Sequence, residues 1–291
     1  MKKKWVFIVI LAFLTSGIFY FYHGNTARES IIFFPIDESV TFEKAVTSLE
    51  LVGNKDDDEY IVEWDVQSYT NKEIFLRQDI SLLFSDGKLI HTLSEWEDQS
   101  QKLAQFTKVS GEDSSHFESI SLHYGEIHID NDLIRSTQLM TSDHLYVIDS
   151  EFTELFSFKK PQTTEEEEWK SILDKVTEQH LEYSWNQLLD HYKIDRNEYE
   201  AIPLVDLIHY NTDPLTGLSE AKTQEVIGNL WEGLYKHYFL GLKTKEGKVY
   251  PAKGSTMPLV LIAKNSSHII VLTQTEDGKP FKFIQRIQFT E

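Results

Sequence analysis

Residues His116–Asp130 read HFESISLHYGEIHID, three histidines and two glutamates in a chain without cysteine. With thiolates missing, imidazole nitrogens and carboxylate oxygens are the ligands left to zinc. In a strand, side chains alternate between faces. Ile120 and Leu122 then share a face with Glu118, while Ser119, Ser121 and His123 share the other. If Tyr124-Gly125 turns the chain, Ile127 and Ile129 rejoin the core, and His123, Glu126 and His128 look away from it. Two imidazoles facing each other across such a hairpin could hold zinc, with Glu126 or His116 as a third ligand. No HExxH helix and no carboxylate-dense loop accompanies them. The simpler expectation is that His123 and His128 are solvent-facing histidines on a sheet, with no cofactor. Asp130-Asn131-Asp132 opens like a calcium loop but lacks the later glycine and bidentate glutamate, so it reads as a turn.

Other chemistries find less support. Ser219-Glu220-Ala221-Lys222 spells SxxK at a helix start, which would set a lysine one turn from a serine nucleophile. Its companion motifs fail: Ser184-Trp185-Asn186 comes before it in the chain, and Lys253-Gly254-Ser255 scrambles KTG. Gly217–Ala221 falls short of a nucleophile elbow, because a loop with Pro214 and Thr216 stands where a strand is needed. A helix N-cap accounts for Ser219 without chemistry. The absence of cysteine excludes thiolate nucleophiles, CxxC redox centres and cysteine–zinc clusters. No phosphate-binding glycine loop is present. Paired acids for glycoside cleavage have ample raw material, yet no spacing singles out a pair.

Val226–Phe239 carries two adjacent apolar stripes. Val226, Ile227, Leu230 and Leu234 form one, and Trp231, Tyr235 and Tyr238 form the other. Gly228 and Gly233 sit mid-helix, where each costs about 1 kcal/mol relative to alanine and permits close packing. A helix apolar over so much of its circumference is either central in a core or partly offered to a partner. Aromatic stripes serve cores more often. Trp231, Tyr235 and Tyr238 therefore read first as core and second as a partner-binding face.

The elements that must position these residues follow from periodicity. Tyr60–Tyr69 alternates Ile61, Glu63 and Asp65 against Tyr60, Val62, Trp64 and Val66, a half-buried strand. Ser85-Asp86-Gly87-Lys88 is a hairpin turn, because Asp-Gly suits backbone with positive φ. Further strands fit Leu103–Val109, Phe117–His123, Glu126–Asp130, Leu145–Asp149 and Leu155–Phe158. Past Pro161 the pattern turns helical. Thr164 and Glu167 form a capping box, Trp169, Ile172, Leu173 and Val176 mark one face, and Ser184 caps a second helix bearing Trp185, Leu188, Leu189 and Tyr192. A long helix follows near Ser219–Leu240, then strands near Leu259–Lys264, His268–Gln274 and Phe281–Phe289. The expected fold class is α+β, with a mainly antiparallel β domain over 31–160 and three helices on a small β-meander over 161–291. A single domain with a shared core is the competing picture.

Location comes from the N-terminus. Trp5–Tyr22 is an apolar to weakly polar run that spans about 27 Å as a helix, enough for a thin hydrocarbon core. Residues 1–22 read as an uncleaved membrane anchor and 23–30 as a spacer. A cleaved signal peptide ending near Gly17 is the alternative, weakened because Ile18–Tyr22 continues the run. Lys2, Lys3 and Lys4 precede the span, so the positive-inside rule puts the rest of the chain outside the cell membrane. Beyond residue 30 the chain holds 24 basic and 46 acidic residues, a balance of −22. That argues against nucleic acid and an anionic lipid surface as partners. These features imply a single-pass, non-enzymatic extracytoplasmic protein that binds an envelope partner or acts as an accessory or regulator. The alternative is an envelope hydrolase using carboxylates or a histidine–metal site.

Overall fold

The computed structural model describes residues 32–54, 59–130, 133–244 and 246–288. The expected anchor, its spacer and Asn131-Asp132 of the expected turn lie outside them. Among the described residues no helix is long and apolar enough to cross a membrane. The fold is mixed: mostly antiparallel strands, with helices and a small C-terminal sheet.

Six strands form the first sheet: β1 (Phe42–Asn54), β2 (Tyr60–Ser85), β3 (Lys88–Gly111), β4 (Ser115–Asp130), β5 (Leu133–Ser150) and β6 (Thr153–Phe158). The order is β1-β2-β4-β5-β6, with β3 on the other edge of β2. The first half of β2 pairs with β1 and its second half with β4. Between them, register breaks from Tyr69 to Ile74, and a bulge of this kind bends and twists a strand. The two halves thereby face each other. Leu49, Val62, Trp64 and Val66 from β1 and early β2 pack on Leu83, Phe117, Leu145 and Val147 from late β2, β4 and β5. The expected alternation in Tyr60–Tyr69 holds, with Tyr60, Val62, Trp64 and Val66 fully buried. The Asp-Gly turn also holds: Asp86 and Gly87 have φ of 48° and 76°, as a two-residue hairpin loop requires.

Two elements differ from the periodicity reading. β4 is one strand through Tyr124-Gly125, because neighbours pair it on both sides there: Gly125 lies opposite Arg77 of β2 and Thr137 of β5. A turn would forfeit both ladders. The first two helices are likewise one, α1 (Thr164–Tyr192). Its capping box uses Thr163 and Glu166, one residue earlier than expected. Ser184 is a buried mid-helix residue rather than a cap. Leu173, Thr177, Leu181, Ser184, Trp185 and Leu188 make one buried stripe running through it, while Ile172 and Val176 are 52% and 54% exposed.

A 3-10 turn (Arg196–Glu198), β7 (Tyr199–Pro203) and a 3-10 helix (Leu204–Asn211) lead to α2 (Glu220–Tyr238). The short pair β8 (Leu242–Lys243) and β9 (Val249–Tyr250) follows. β10 (Leu259–Ala263), β11 (His268–Gln274) and β12 (Pro280–Arg286) form the expected meander, and β7 adds to the β10 edge. Residue 160 marks the change from strands to helices, but contacts cross it. Trp231 Nε1 donates to Met140 Sδ at 3.2 Å, Gln138 Nε2 to Gln224 O at 2.8 Å and Asn211 Nδ2 to Met140 O at 2.8 Å. Ile32–Glu291 is one compact unit.

Candidate functional site: an acidic cleft under the long helix

The even-numbered face of β4 begins with His116 and Glu118 and continues through Ile120, Leu122 and Tyr124. The last three are buried. Over the first two lies α1, held by the Gly87 hairpin tip: a side chain at Gly87 would meet Leu181 at 2.7 Å. Helix and strand do not close completely. Between them and the β7 segment is a cleft of about 430 Å³. Its polar lining includes Glu118, Asp174, Glu178, Glu182 and Asp206, and its apolar wall includes Leu181, Trp185, Met257 and Leu259.

The charges are unevenly balanced. Arg196 holds Glu182 through two hydrogen bonds of 2.8 and 3.1 Å. Lys170 pairs with Asp174 and lies 5.2 Å from the Tyr146 ring centre. Among the described residues Glu118, Glu178 and Asp206 form no ion pair. Burial, reinforced by Asp206, Asp174 and Asp86, pushes the Glu118 carboxyl up to about 7. Burial also raises Asp206 and Asp86.

His116 forms the inner corner. Its ring stacks on Tyr146 at 4.0 Å and 5°, with Nδ1 3.8 Å from Asp174 Oδ1. Its backbone N–H donates to Asp86 Oδ1 at 2.9 Å. Burial, with His144 and Lys170 outweighing part of the pull from Asp174, lowers His116 to about 4. The ring is therefore neutral at pH 7. His116 Nε2 and Thr177 Oγ1 are buried in the cleft lining with no hydrogen-bond partner. Buried polar atoms are usually paired; these two belong to residues of one cleft lining, while other buried atoms without partners, such as Trp64 Nε1 and Tyr238 Oη, lie elsewhere. Chemically, the cleft can hold positive charge, accept hydrogen bonds and present one carboxyl near its midpoint of titration at neutral pH.

The residues singled out from sequence are distributed elsewhere. His123, expected in solvent, is fully buried on the odd-numbered face of β4. There it joins a polar network between the facing halves of the sheet. Nδ1 lies 3.0 Å from Asp79 Oδ2 and Nε2 2.8 Å from Thr141 Oγ1. Thr141 meets Thr47 at 2.6 Å, Thr47 reaches Ser121 at 2.7 Å, and Ser68 donates to Asp79. The expectation of an exposed His123 fails because the continuous strand turns its odd face to β1. His128 and Glu126 stay on the even face and meet at 3.3 Å, with His128 stacked on Phe75 at 3.8 Å. The structure thus brings Glu126 and His128 together, puts His123 on the opposite face, and leaves His116 about 40 Å away along the strand from His128. Among the described residues no three histidine, aspartate or glutamate side chains are grouped to hold a metal ion.

Trp231, Tyr235 and Tyr238 are 0%, 8% and 4% exposed, so α2 presents no aromatic surface there. Ser219 caps α2, accepting from Lys222 N–H at 3.2 Å, and the Lys222 ammonium turns to Glu225 at 2.7 Å. That arrangement serves the helix end and places no amine on the serine. The acidic cleft was not anticipated. One signal for it was legible: Glu118 shares a strand face with Ile120 and Leu122, an ionisable group on a core-facing stripe.

Compared with known proteins, the chain matches no protein family, no curated protein and no solved structure.

Proposed function

We propose that the chain is a non-enzymatic, extracytoplasmic binding protein of the bacterial cell envelope, with accessory or regulatory consequences for its partner. In this reading residues 1–22 form the single-pass membrane helix and residues 23–30 a short spacer. Three lysines before the apolar run and the acidic remainder support that orientation. The observation that carries the binding role is the cleft, where three carboxylates without ion-pair partners adjoin two orphaned polar atoms.

The test uses the full chain in its membrane. A photo-crosslinking residue at Val205, in the cleft lining, should capture a discrete partner. Ala201→Arg, which sets a tethered guanidinium over the cleft, should abolish that capture without shifting the unfolding midpoint. Equal capture by both forms would refute the cleft as the binding site.

A second reading, an envelope hydrolase, draws on the same lining. Glu118, its carboxyl pushed up to about 7 by burial, shares the cleft with Asp174, and a pair of carboxyl groups is what carboxylate hydrolases use. Loss of hydrolysis of an envelope glycan in Glu118→Gln, with wild-type turnover demonstrated, would favour it.

A further inference from the structure

We propose that the ligand of the cleft is an organic cation: a primary ammonium or guanidinium group on a methylene stem. This rests on the cleft being the binding site, and it adds the chemistry of the occupant.

Four features converge on that class. Glu118, Glu178 and Asp206 bring three carboxyl groups that form no direct ion pair among the described residues; Arg196 in the same lining is engaged by Glu182, and Lys170 by Asp174. Thr177, 5% exposed, and His116, 8% exposed, bring a hydroxyl and an imidazole nitrogen to the same lining without partners. Both atoms can accept N–H donors, the hydroxyl with its lone pairs and the neutral imidazole at Nε2 when Nδ1, 3.8 Å from Asp174, carries the proton. An ammonium offers three such donors and a guanidinium five. Next to these acceptors, Leu181, Trp185 and Met257 form an apolar wall. A bare metal ion would leave that wall unused, whereas a methylene stem would cover it. Metal ligation also needs several ligands converging on one point, and no such group occurs among the described residues.

Occupancy should be linked to pH through Glu118. The groups that face it are Asp206 on the 3-10 helix, Asp174 and Lys170 on α1, and Asp86 at the hairpin tip. Glu178 and Glu182 on α1, Arg196 on the 3-10 turn and His116 on β4 share its cleft. A cation favours the ionised carboxylate, so binding releases a proton at pH values below about 7. His116, lowered to about 4, stays neutral throughout the range from 6 to 8.

Two sources share this chemistry: a free polyamine, and a lysine or arginine side chain of a partner segment. Full-length protein in detergent would be titrated calorimetrically with cadaverine, agmatine and a capped Gly-Lys-Gly tripeptide, at low salt. We expect saturable one-site binding, weakened at least about tenfold in Glu178→Gln/Asp206→Asn. Between pH 6 and 8 the wild type should tighten by about tenfold, the change in ionised fraction of a carboxyl centred near 7, while Glu118→Gln stays flat. Tighter binding of the diamines assigns the free-polyamine source, tighter binding of the tripeptide the side-chain source, and equal binding supports the shared chemistry. Unfolding midpoints of each variant show whether it is folded. Should the double variant unfold, Ala201→Arg replaces it and must block binding. Competition by equimolar magnesium as effective as by agmatine would overturn the organic-cation assignment. So would no binding of any probe while the Val205 crosslink persists and Ala201→Arg abolishes it, with the cleft itself surviving. Loss of both the probe binding and the crosslink would overturn both.

Discussion

Trp231→Ala tests whether the second stripe of α2 belongs to the core. Trp231 is fully buried, and its Nε1 donates to Met140 Sδ at 3.2 Å, across to β5. A buried aromatic removes about 150–250 Å² from water, worth roughly 4–6 kcal/mol at about 25 cal/mol per Å². Denatured chains already bury part of that area, and alanine retains a little, which brings the expected loss to about 3–5 kcal/mol. Losing the hydrogen bond adds little, since the thioether left behind is a weak acceptor. For a chain of this size each kcal/mol moves the melting temperature by about 2–4 °C, so a drop of about 6–20 °C is expected. Leu230, 4% exposed on the same helix, gives an internal standard: Leu230→Ala should cost about 2–5 kcal/mol. The assay is thermal and urea unfolding of the full chain in detergent, followed by near-ultraviolet circular dichroism. An unchanged Trp231→Ala midpoint alongside a destabilised Leu230→Ala would refute the core assignment. Trp231, Tyr235 and Tyr238 would then become the partner-binding face.

Three further outcomes are expected. His123→Leu should cost about 1–3 kcal/mol for each buried partner left unsatisfied, and the Asp79→Leu/His123→Leu double variant should cost less than the sum of its single changes; strictly additive urea-unfolding energies would argue against a coupled network. Glu118 titrates higher when folded than its ordinary value of 4.5, so the unfolded chain ionises first and stability falls as pH rises from about 4.5 to 7. The Glu118→Gln variant lacks that decline and should gain on the wild type by at most roughly 3 kcal/mol across this window; parallel stability curves would contradict it. Protease added to intact spheroplasts should digest residues 32–291, and full protection would reverse the proposed orientation.

Local patterns were legible wherever one short-range rule decided the outcome. The Asp86-Gly87 turn, the Tyr60–Val66 alternation and the Ser219 cap each depend on a few neighbouring residues. What depends on distant partners was not legible. Ser184 resembles a cap by type, but its neighbours Leu181, Trp185 and Leu188 bury one continuous helical face. Tyr124-Gly125 has turn composition, yet β2 and β5 bracket it from strands 40 or more residues before and eight or more after. The Thr70–Glu73 interruption in β2 is where the sheet starts to fold back, and nothing in its composition announces a bend of that consequence. The cleft inherits this difficulty, since its lining comes from β4, α1, the 3-10 turn, β7, the 3-10 helix after it, and the start of β10 with the segment before it.

The fate of the three histidines on β4 shows how one strand is partitioned by what covers it. Alternation alone sends His116 and His128 to one face and His123 to the other. The facing half of the sheet covers the odd face, so His123 must find partners in a dry interior and does so in Asp79 and Thr141. The even face is covered unevenly along its length. At its start α1 roofs over His116 and Glu118 without filling the space, and burial raises the carboxyl while lowering the imidazole. In the middle Ile120, Leu122 and Tyr124 are closed off completely. At its end the cover stops, and His128 rests on Phe75 beside Glu126 with its side chain 31% exposed. A histidine-rich strand therefore yields a buried brace, a cleft wall and a surface pair, with no common ligand. The one of these with both unfilled acceptors and unpaired charge beside it is the cleft wall, and that is where a binding partner would find complementary chemistry.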